Sequence, residues 1–324
     1  MNERRVRRES DVRGARALSD LERGVVIESA GGVYDVELDD GRVIAASLRG
    51  RLKLQQRTGD RIVVGDRVSV ATSDDAITIE SVEPRASQLA RRAPGRNARK
   101  AKVIVANVEQ VVVVFAAADP EPHFRMLDRF LVLAETNGLN ARIILNKIDL
   151  CPDREQLDDA LAPYRTAGYD VLLTSVPADI GIEDLRALVC GHDSVITGPS
   201  GVGKSSLLNA LEPDLALRVG AVSEAVRKGR HTTVSARLIR LSCGGHLVDT
   251  PGLRELGLWG VEVATLDQDF PEFRPLLGQC RFANDCTHTH EPDCAIKEAV
   301  AAGTISAERY RSYADLRAEA VAAG

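Results

Sequence analysis

The sequence predicts a multidomain α/β and β protein, and three observations carry the prediction. Residues 21–84 break into about five short apolar stretches separated by turns, "NKID" (146–149) and "TGPSGVGKSS" (197–206) punctuate an α/β-patterned region, and three cysteines and a histidine crowd into residues 280–294. The expected order is a basic tail over 1–20, an OB-type β-barrel over 21–90, an α/β domain over 91–265 whose mixed sheet has helices on both faces, and a small metal-binding helical domain over 266–324.

The barrel rests on "GVVIES", "GVYDVEL", "GRVIAASL", "DRIVVGDRVSV" and "AITIESV", punctuated by "AGG", "DDG" and "TGD". Five short antiparallel strands is the count of a small Greek-key barrel such as the OB-fold, and such barrels commonly bind oligonucleotides. A β-module that only docks on its neighbour satisfies the same pattern. The next apolar segment, "VIVANVEQVVVVFAAA" (103–118), is interrupted by Asn107, Glu109 and Gln110 and reads as core strands, not as a membrane span.

Gly198, Gly203, Lys204 and Ser205 fit G-x-x-x-x-G-K-S, the loop whose backbone N–H groups cradle nucleotide phosphates. Its flanks are right for that job: "DSVIT" (193–197) has the β-branched density of a buried strand, and "SSLLNAL" (205–211) the spacing of an amphipathic helix. The nucleotide-binding segment is Gly198, Pro199, Ser200, Gly201, Val202, Gly203, Lys204, Ser205 and Ser206, with Lys204 reaching the β/γ-phosphates and Ser205 ligating Mg²⁺. Downstream, "HLVDTPG" (246–252) puts Asp249 at the end of an apolar run, where a Mg²⁺-supporting carboxylate belongs, and Gly252 where the backbone approaches a γ-phosphate.

Upstream, "ARIILNKIDL" (141–150) is a buried run ending in Asn146, Lys147, Ile148 and Asp149, the place where a strand's carboxyl end opens onto a ligand crevice. A carboxylate at Asp149 accepts hydrogen bonds from guanine's ring N–H and exocyclic amine, whereas adenine would face it with a lone pair; such a bidentate pair is worth about 1–3 kcal/mol of discrimination. "LLTS" (172–175) supplies Thr174 and Ser175 as a second loop beneath the base. The base-reading loops thus precede the phosphate-reading loops, the reverse of an ordinary GTPase. Circular permutation explains the inversion, because joining nearby termini and opening the chain elsewhere preserves a core while changing motif order.

The composition is that of a soluble chain of 324 residues, 44% hydrophobic and 27% charged. Net charge is −5, which excludes wholesale polyanion binding but not local patches. Arg4, Arg5, Arg7, Arg8, Arg13 and Arg16 form one patch, and residues 85–102 form another with seven basic residues and no acid. Either could contact a phosphate backbone or be a solvated tail and linker. No apolar signal segment follows "MNERRVRRES", which predicts a cytoplasmic protein without structural disulfides; Cys151, Cys190 and Cys243 are then small buried hydrophobes.

In "CRFANDCTHTHEPDC" (280–294), Cys280, Cys286, His288 and Cys294 have the density of a closed tetrahedral zinc site, with His290 as an alternative ligand. The tail "SAERYRSYADLRAEAVAAG" (306–324) carries strong helix formers and should end the chain as a helix.

Taken together, "NKID", "GPSGVGKSS", "GRHTTV", "DTPG" and Cys-x5-Cys-x-His-x5-Cys resemble, in that order and over nearly the whole chain, the RsgA family of small ribosomal subunit-dependent GTPases. The five-residue first cysteine spacing departs from the four common there. The resemblance implies an amino-terminal OB-fold, a circularly permuted GTPase domain, one structural Zn²⁺, Mg²⁺ with GTP or GDP, and hydrolysis stimulated by the small ribosomal subunit and its rRNA late in that subunit's maturation. No membrane partner is expected, and the chain is expected to act as a monomer. After "DTPG" comes Leu253, where many GTPases place a water-orienting Gln. His231, beside Thr232 and Thr233 in "RKGRHTTV" (227–234), is the expected catalytic residue, and one of the two threonines closes over Mg²⁺. Two other classes fit part of the pattern: a metabolic ATPase or kinase, disfavoured by Asp149, and an RNA-binding scaffold with a vestigial nucleotide site, disfavoured by intact Lys204, Ser205 and Asp249.

Overall fold

The computed structural model describes residues 21–50, 52, 61–73, 76–92, 101–215, 236–249 and 262–323. The first unit is a closed barrel of β1 (Leu21–Ala30), β2 (Val33–Leu38), β3 (Val43–Leu48), β4 (Arg67–Thr72) and β5 (Ile77–Val82), in the order β1-β2-β3-β5-β4. All neighbours are antiparallel except β3 and β5. Alternating residues such as Val26, Val36, Val68, Val70 and Ile79 fill the interior, as a two-residue side-chain period requires.

Of the stretch "DRIVVGDRVSV", the second half supplies β4, while residues 61–64 lie outside the barrel strands. Asp66 accepts from Val63 N at 2.8 Å; Ile62 packs into the barrel interior, while Val64 makes a parallel bridge to Val105 and joins the core of the next domain. Gly65 makes that close approach possible, since a Cβ there would lie 2.1 Å from the Ala106 carbonyl oxygen. The described ends of the basic 85–102 stretch are not simple linker either: β6 (Gln88–Arg92) pairs antiparallel with β7 (Ala101–Ala106).

A six-stranded sheet follows, ordered β10-β9-β8-β11-β13-β12. It comprises β8 (Gln110–Ala116), β9 (Asn140–Asn146), β10 (Asp170–Leu173), β11 (Asp193–Thr197), β12 (Arg237–Arg240) and β13 (His246–Asp249), all parallel to their neighbours except β12. All of β8 is buried, and its residues alternate between two cores. Val111, Val113 and Phe115 meet α1 (Phe124–Thr136) and α2 (Arg154–Thr166), while Val112, Val114 and Ala116 meet α3 (Ile182–Val189) and α4 (Lys204–Leu211). Strands β8 to β10, with "NKID" and "LLTS" at their ends, and strands β11 to β13, with the glycine-rich loop, therefore form one sheet, joined where β8 pairs with β11. That pairing reconciles the inverted motif order with a single site.

The carboxyl region contains short helical turns, α5 (Ala295–Ala301) and α6 (Ala307–Ala323), packed around Phe270, Phe273, Tyr313 and the Cys/His cluster. Val132 of α1 joins that core. Arg309 of α6 is almost fully buried, bonding Asp128 of α1 at 2.5 Å and Glu272 at 2.7 Å. Among the described residues no helix is long and apolar enough to cross a membrane.

One expectation is corrected. Cys190 and Cys243 are not separate buried hydrophobes but a disulfide, with Cα atoms 5.4 Å apart; Cys151 does pack against the larger core, partly buried. The fold sets these two side by side although 53 residues separate them in sequence.

Candidate functional site

The site lies where β9, β10 and β11 end. Asn146, the last residue of β9, is buried; its Nδ2 donates to Val202 O at 2.9 Å and its Oδ1 accepts from Thr174 Oγ1 at 3.1 Å. One amide, with a donor and an acceptor at its tip, thus ties three loops together. Backbone bonds reinforce the arrangement, from Thr174 N to Leu145 O at 2.8 Å and from Ile148 N to Thr174 O at 3.1 Å.

Ile148 is fully buried, which anchors the turn and leaves its neighbour Asp149 exposed. Ser175, itself buried, donates through Oγ to Asp149 Oδ1, so the second loop orients the carboxylate. Lys147 adopts a left-handed conformation (φ 60°) and donates through Nζ to the Asp119 carbonyl. Asp119 was not foreseen: it contributes backbone oxygen, and residue type gives no signal for that.

In the phosphate loop, two glycines are required by space as well as by backbone angle. A Cβ on Gly198 (φ 136°) would lie 2.0 Å from Val114 O, and one on Gly203 (φ 95°) would lie 2.3 Å from Asn146 Nδ2. Val202 is buried in the second core, Pro199 is half-buried, and Ser200 and Gly201 are exposed. Lys204 opens α4 and donates through Nζ to Gly198 O at 2.7 Å and Pro199 O at 2.6 Å, with Ser205 and Ser206 half-buried in the same turn. No acid lies in that first turn, so an anion there would meet the helix's positive end beside the Lys204 ammonium.

Asp249 ends β13 beside Ile196 of β11, one strand from the phosphate loop. His231, Thr232, Thr233 and Gly252, like the Arg-rich tail, lie outside the described residues.

In the carboxyl region, Cys280, Cys286, His288 and Cys294 are all buried, and their donor atoms lie within 4.8 Å of one another. His288 turns Nδ1 toward Cys280 Sγ (3.5 Å) and Cys294 Sγ (3.4 Å), while Nε2 faces Asp267 Oδ2 at 3.4 Å. A carboxylate behind an imidazole fixes the tautomer that leaves the other nitrogen free to ligate. Asp267 sits on a separate turn upstream, so the motif spacing could not reveal it. His290 points away toward Thr289 and Glu291 and does not join the cluster. Burial pushes the Cys286 thiol up to about 12. Burial would raise Cys294 too, but the Lys297 backbone N–H and the His288 side chain hold it below the usual thiol range. Three soft sulfurs and one imidazole in a closed, buried group form a donor set that fits a tetrahedral divalent ion and offers no open position for a substrate.

The same architecture recurs in known proteins. A family model described as RsgA GTPase matches residues 82–259. The small ribosomal subunit biogenesis GTPase RsgA of Gemmatimonas aurantiaca is 53% identical over 300 residues, covering 91% of this chain and 96% of that one. The protein of the same name from Moorella thermoacetica is 42% identical, covering 92% and 97%. Among solved structures, YjeQ from Thermotoga maritima superposes with a TM-score of 0.75 at 36% identity, covering 93% of this chain and 99% of that one. YloQ, described as a circularly permuted GTPase, does so with a TM-score of 0.72 at 31% identity, covering 93% and 96%. Relatives this similar along nearly their whole length leave one assignment: the chain belongs to the RsgA GTPase family.

Proposed function

We infer that this chain is a GTPase of small ribosomal subunit biogenesis, which binds the small (30S) subunit, hydrolyses GTP to GDP and phosphate faster when bound there, and acts late in that subunit's maturation. The observation that carries the reading is the Asn146 bridge, which brings the guanine-reading loops against the phosphate loop despite their inverted order. We assign residues 21–90 to the OB-fold, 91–265 to the permuted GTPase domain and 266–324 to the zinc-binding domain, with 1–20 as a basic tail. The protein works in the cytoplasm as a monomer.

In this reading Asp149, oriented by Ser175, accepts from guanine, and Lys147 packs along the nucleotide. Gly198 to Ser206 wrap the phosphates, and Lys204 leaves its carbonyl partners to meet the β/γ-phosphates as negative charge develops on the leaving oxygen. Ser205, Asp249 and one of Thr232 and Thr233 are the residues that would hold Mg²⁺, which when bound neutralises phosphate charge. Cys280, Cys286, His288 and Cys294 would hold a structural Zn²⁺. With Leu253 unable to orient water, His231 accepts a hydrogen bond from the attacking water, and rRNA meets the cations of "RKGR" beside it. Gly252 contacts the γ-phosphate through its backbone, so loss of phosphate reaches the carboxyl domain.

The test is GTP and ATP turnover with and without purified small subunits. Preference for GTP and stimulation by subunits are expected, and His231→Ala should retain GTP and subunit binding while losing about 10²–10⁴-fold of the stimulated rate. Equal use of ATP and GTP would instead favour a metabolic ATPase, and no turnover in either condition an RNA-binding scaffold.

A further inference from the structure

The Cys190–Cys243 bridge joins two features already in contact. Cys190 ends α3, its backbone N–H donating to Arg186 O at 2.9 Å. Cys243 sits in the tight turn between β12 and β13, closed by bonds from Leu241 N to Gly245 O and from Gly244 N to Leu241 O, both 3.0 Å. That turn lies directly on the chain after Cys190: Gly191 N donates to Gly244 O at 2.8 Å, and a Cβ on Gly245 would come within 2.4 Å of His192 O.

Two further contacts make the turn a junction. Ser242 donates through N (2.7 Å) and Oγ (2.9 Å) to Glu212, at the end of α4. Arg240, just before the turn, pairs with Glu37 of the barrel. The crosslinked residues are 53 apart in sequence, and the ring they close contains the phosphate loop, α4, β12 and the stretch bearing His231, Thr232 and Thr233. Cys243 is exposed and Cys190 half-buried behind it.

We propose that Cys190 and Cys243 are a reversible thiol–disulfide exchange site for low-molecular-weight thiols and disulfides, and that its oxidation staples the phosphate-binding segment of the GTPase domain into a covalent ring. Exposure assigns the roles. In oxidation the Cys243 thiolate attacks one sulfur of a small disulfide RSSR, forming a mixed disulfide and releasing RS⁻. The Cys190 thiolate then attacks Cys243 Sγ and expels the second RS⁻. Two protein thiols and one RSSR become one protein disulfide and two RSH, and reduction by two RSH is the reverse. Backbone bonds hold the turn in either state, so the fold and nucleotide site persist when the bridge is open. What changes is the freedom of the ring: closing a loop of this length removes disordered conformations from the locally opened ensemble and lowers its population on the order of a hundredfold or more.

The experiment uses the full-length, zinc-loaded protein equilibrated across glutathione buffers from reduced to oxidised, quenched with N-ethylmaleimide and mapped by mass spectrometry. A peptide pair linked through Cys190 and Cys243 should appear on the oxidised side, and both residues should carry the label on the reduced side. Trypsin should cut the 191–242 segment more slowly in the oxidised form, whose melting temperature should be roughly 5–10 °C higher. The Cys190→Ser/Cys243→Ser double variant should behave like the reduced wild type in both buffers and bind GTP as tightly. Should that variant fold poorly, the comparison of oxidised with reduced wild type decides alone. Label on both cysteines at every glutathione ratio, a stable mixed disulfide on Cys243 with Cys190 still labelled, or oxidised and reduced forms with equal cleavage and melting would each overturn the proposal.

Discussion

In the nucleotide-binding region, two extended hydrophobic cores clamp a six-stranded sheet, and the polar groups of the site are set into that frame at strand ends. Residues 262–323 have no described sheet; a few aromatic rings, aliphatic side chains such as Leu266, Ile296 and Leu316, three cysteines, His288 and the buried Arg309 fill their interior. The first region is stable through area removed from water, and its function depends on close backbone approach. The second has a smaller core, shared with a buried charge and with a Cys/His group that could hold a metal. The same kind of damage should therefore have opposite reach in the two.

The largest effect should follow loss of the cysteine cluster. Structural zinc contributes on the order of 10 kcal/mol to small domains that fold around it. Cys286→Ser, or chelation, should expose the carboxyl region to protease while GTP affinity stays within about twofold. Elemental analysis and limited proteolysis check it. A metal-free protein with a protease-resistant carboxyl region would break the comparison, because the region would then be held by its rings alone.

Next is the charge at the boundary. Burial alone would lower the Arg309 pKa, but Asp128 and Glu272 raise it well above its ordinary value, so the guanidinium stays charged. It also lies over the rings of Phe270 (4.7 Å) and Tyr164 (5.1 Å). Asp128→Ala removes a buried partner and should cost about 3–5 kcal/mol in urea unfolding. Arg309→Met in the same background should recover part of that loss, since no uncompensated guanidinium remains. Failure to recover would mean that the rings, not the charge pairing, fix α6 against α1.

The nucleotide region should break at a backbone contact instead. Gly203→Ala places a methyl group against Asn146 at a left-handed backbone position, a strain of about 1–3 kcal/mol. GTP affinity should fall about 10- to 100-fold by fluorescent-nucleotide titration, with the carboxyl region equally protease-resistant. Unchanged affinity would show that Asn146 does not need the phosphate loop against it.

How much of this was legible in the sequence follows the same division. A strand buried on both faces, such as β8, is written as a run of apolar residues, and the phosphate loop is written in glycines that only one geometry requires. The first half of "DRIVVGDRVSV" reads like its second half because Ile62 and Val64 are buried as well, one in the barrel interior and the other against the next domain. Arg309 and Asp128, like Cys190 and Cys243, meet only in three dimensions, and neither pair has a spacing that local periodicity could report. The choice between His288 and His290 was likewise left to the backbone: His288 sits at φ 58°, held by Tyr310 OH on its carbonyl at 2.7 Å, which turns its ring inward.

The smallest effect concerns pH and again separates the regions. Asp269 lies between the carboxyl region and α1; burial raises its pKa to about 6, although Thr136 Oγ1 donates to it at 2.7 Å. Glu135 and Asp267 act in the same direction as burial, and Arg274 opposes them. Because the folded protein binds this proton more tightly than the unfolded chain, Asp269 contributes stability that is complete below about pH 4. That contribution is lost as pH rises through about 6, up to roughly 3 kcal/mol by the linkage of about 1.4 kcal/mol per pKa unit. Partial access to water reduces the figure. Asp269→Asn keeps the shape without the proton equilibrium, so the difference in stability between variant and wild type should drift in the variant's favour between pH 4 and 7. The comparison belongs in urea titrations read by a probe on the carboxyl region, with nucleotide binding as the control that does not follow the same pH course. A difference that stays flat across that range would place the Asp269 carboxyl in water in solution, and the seam between α1 and the carboxyl region would then be looser than its packing implies.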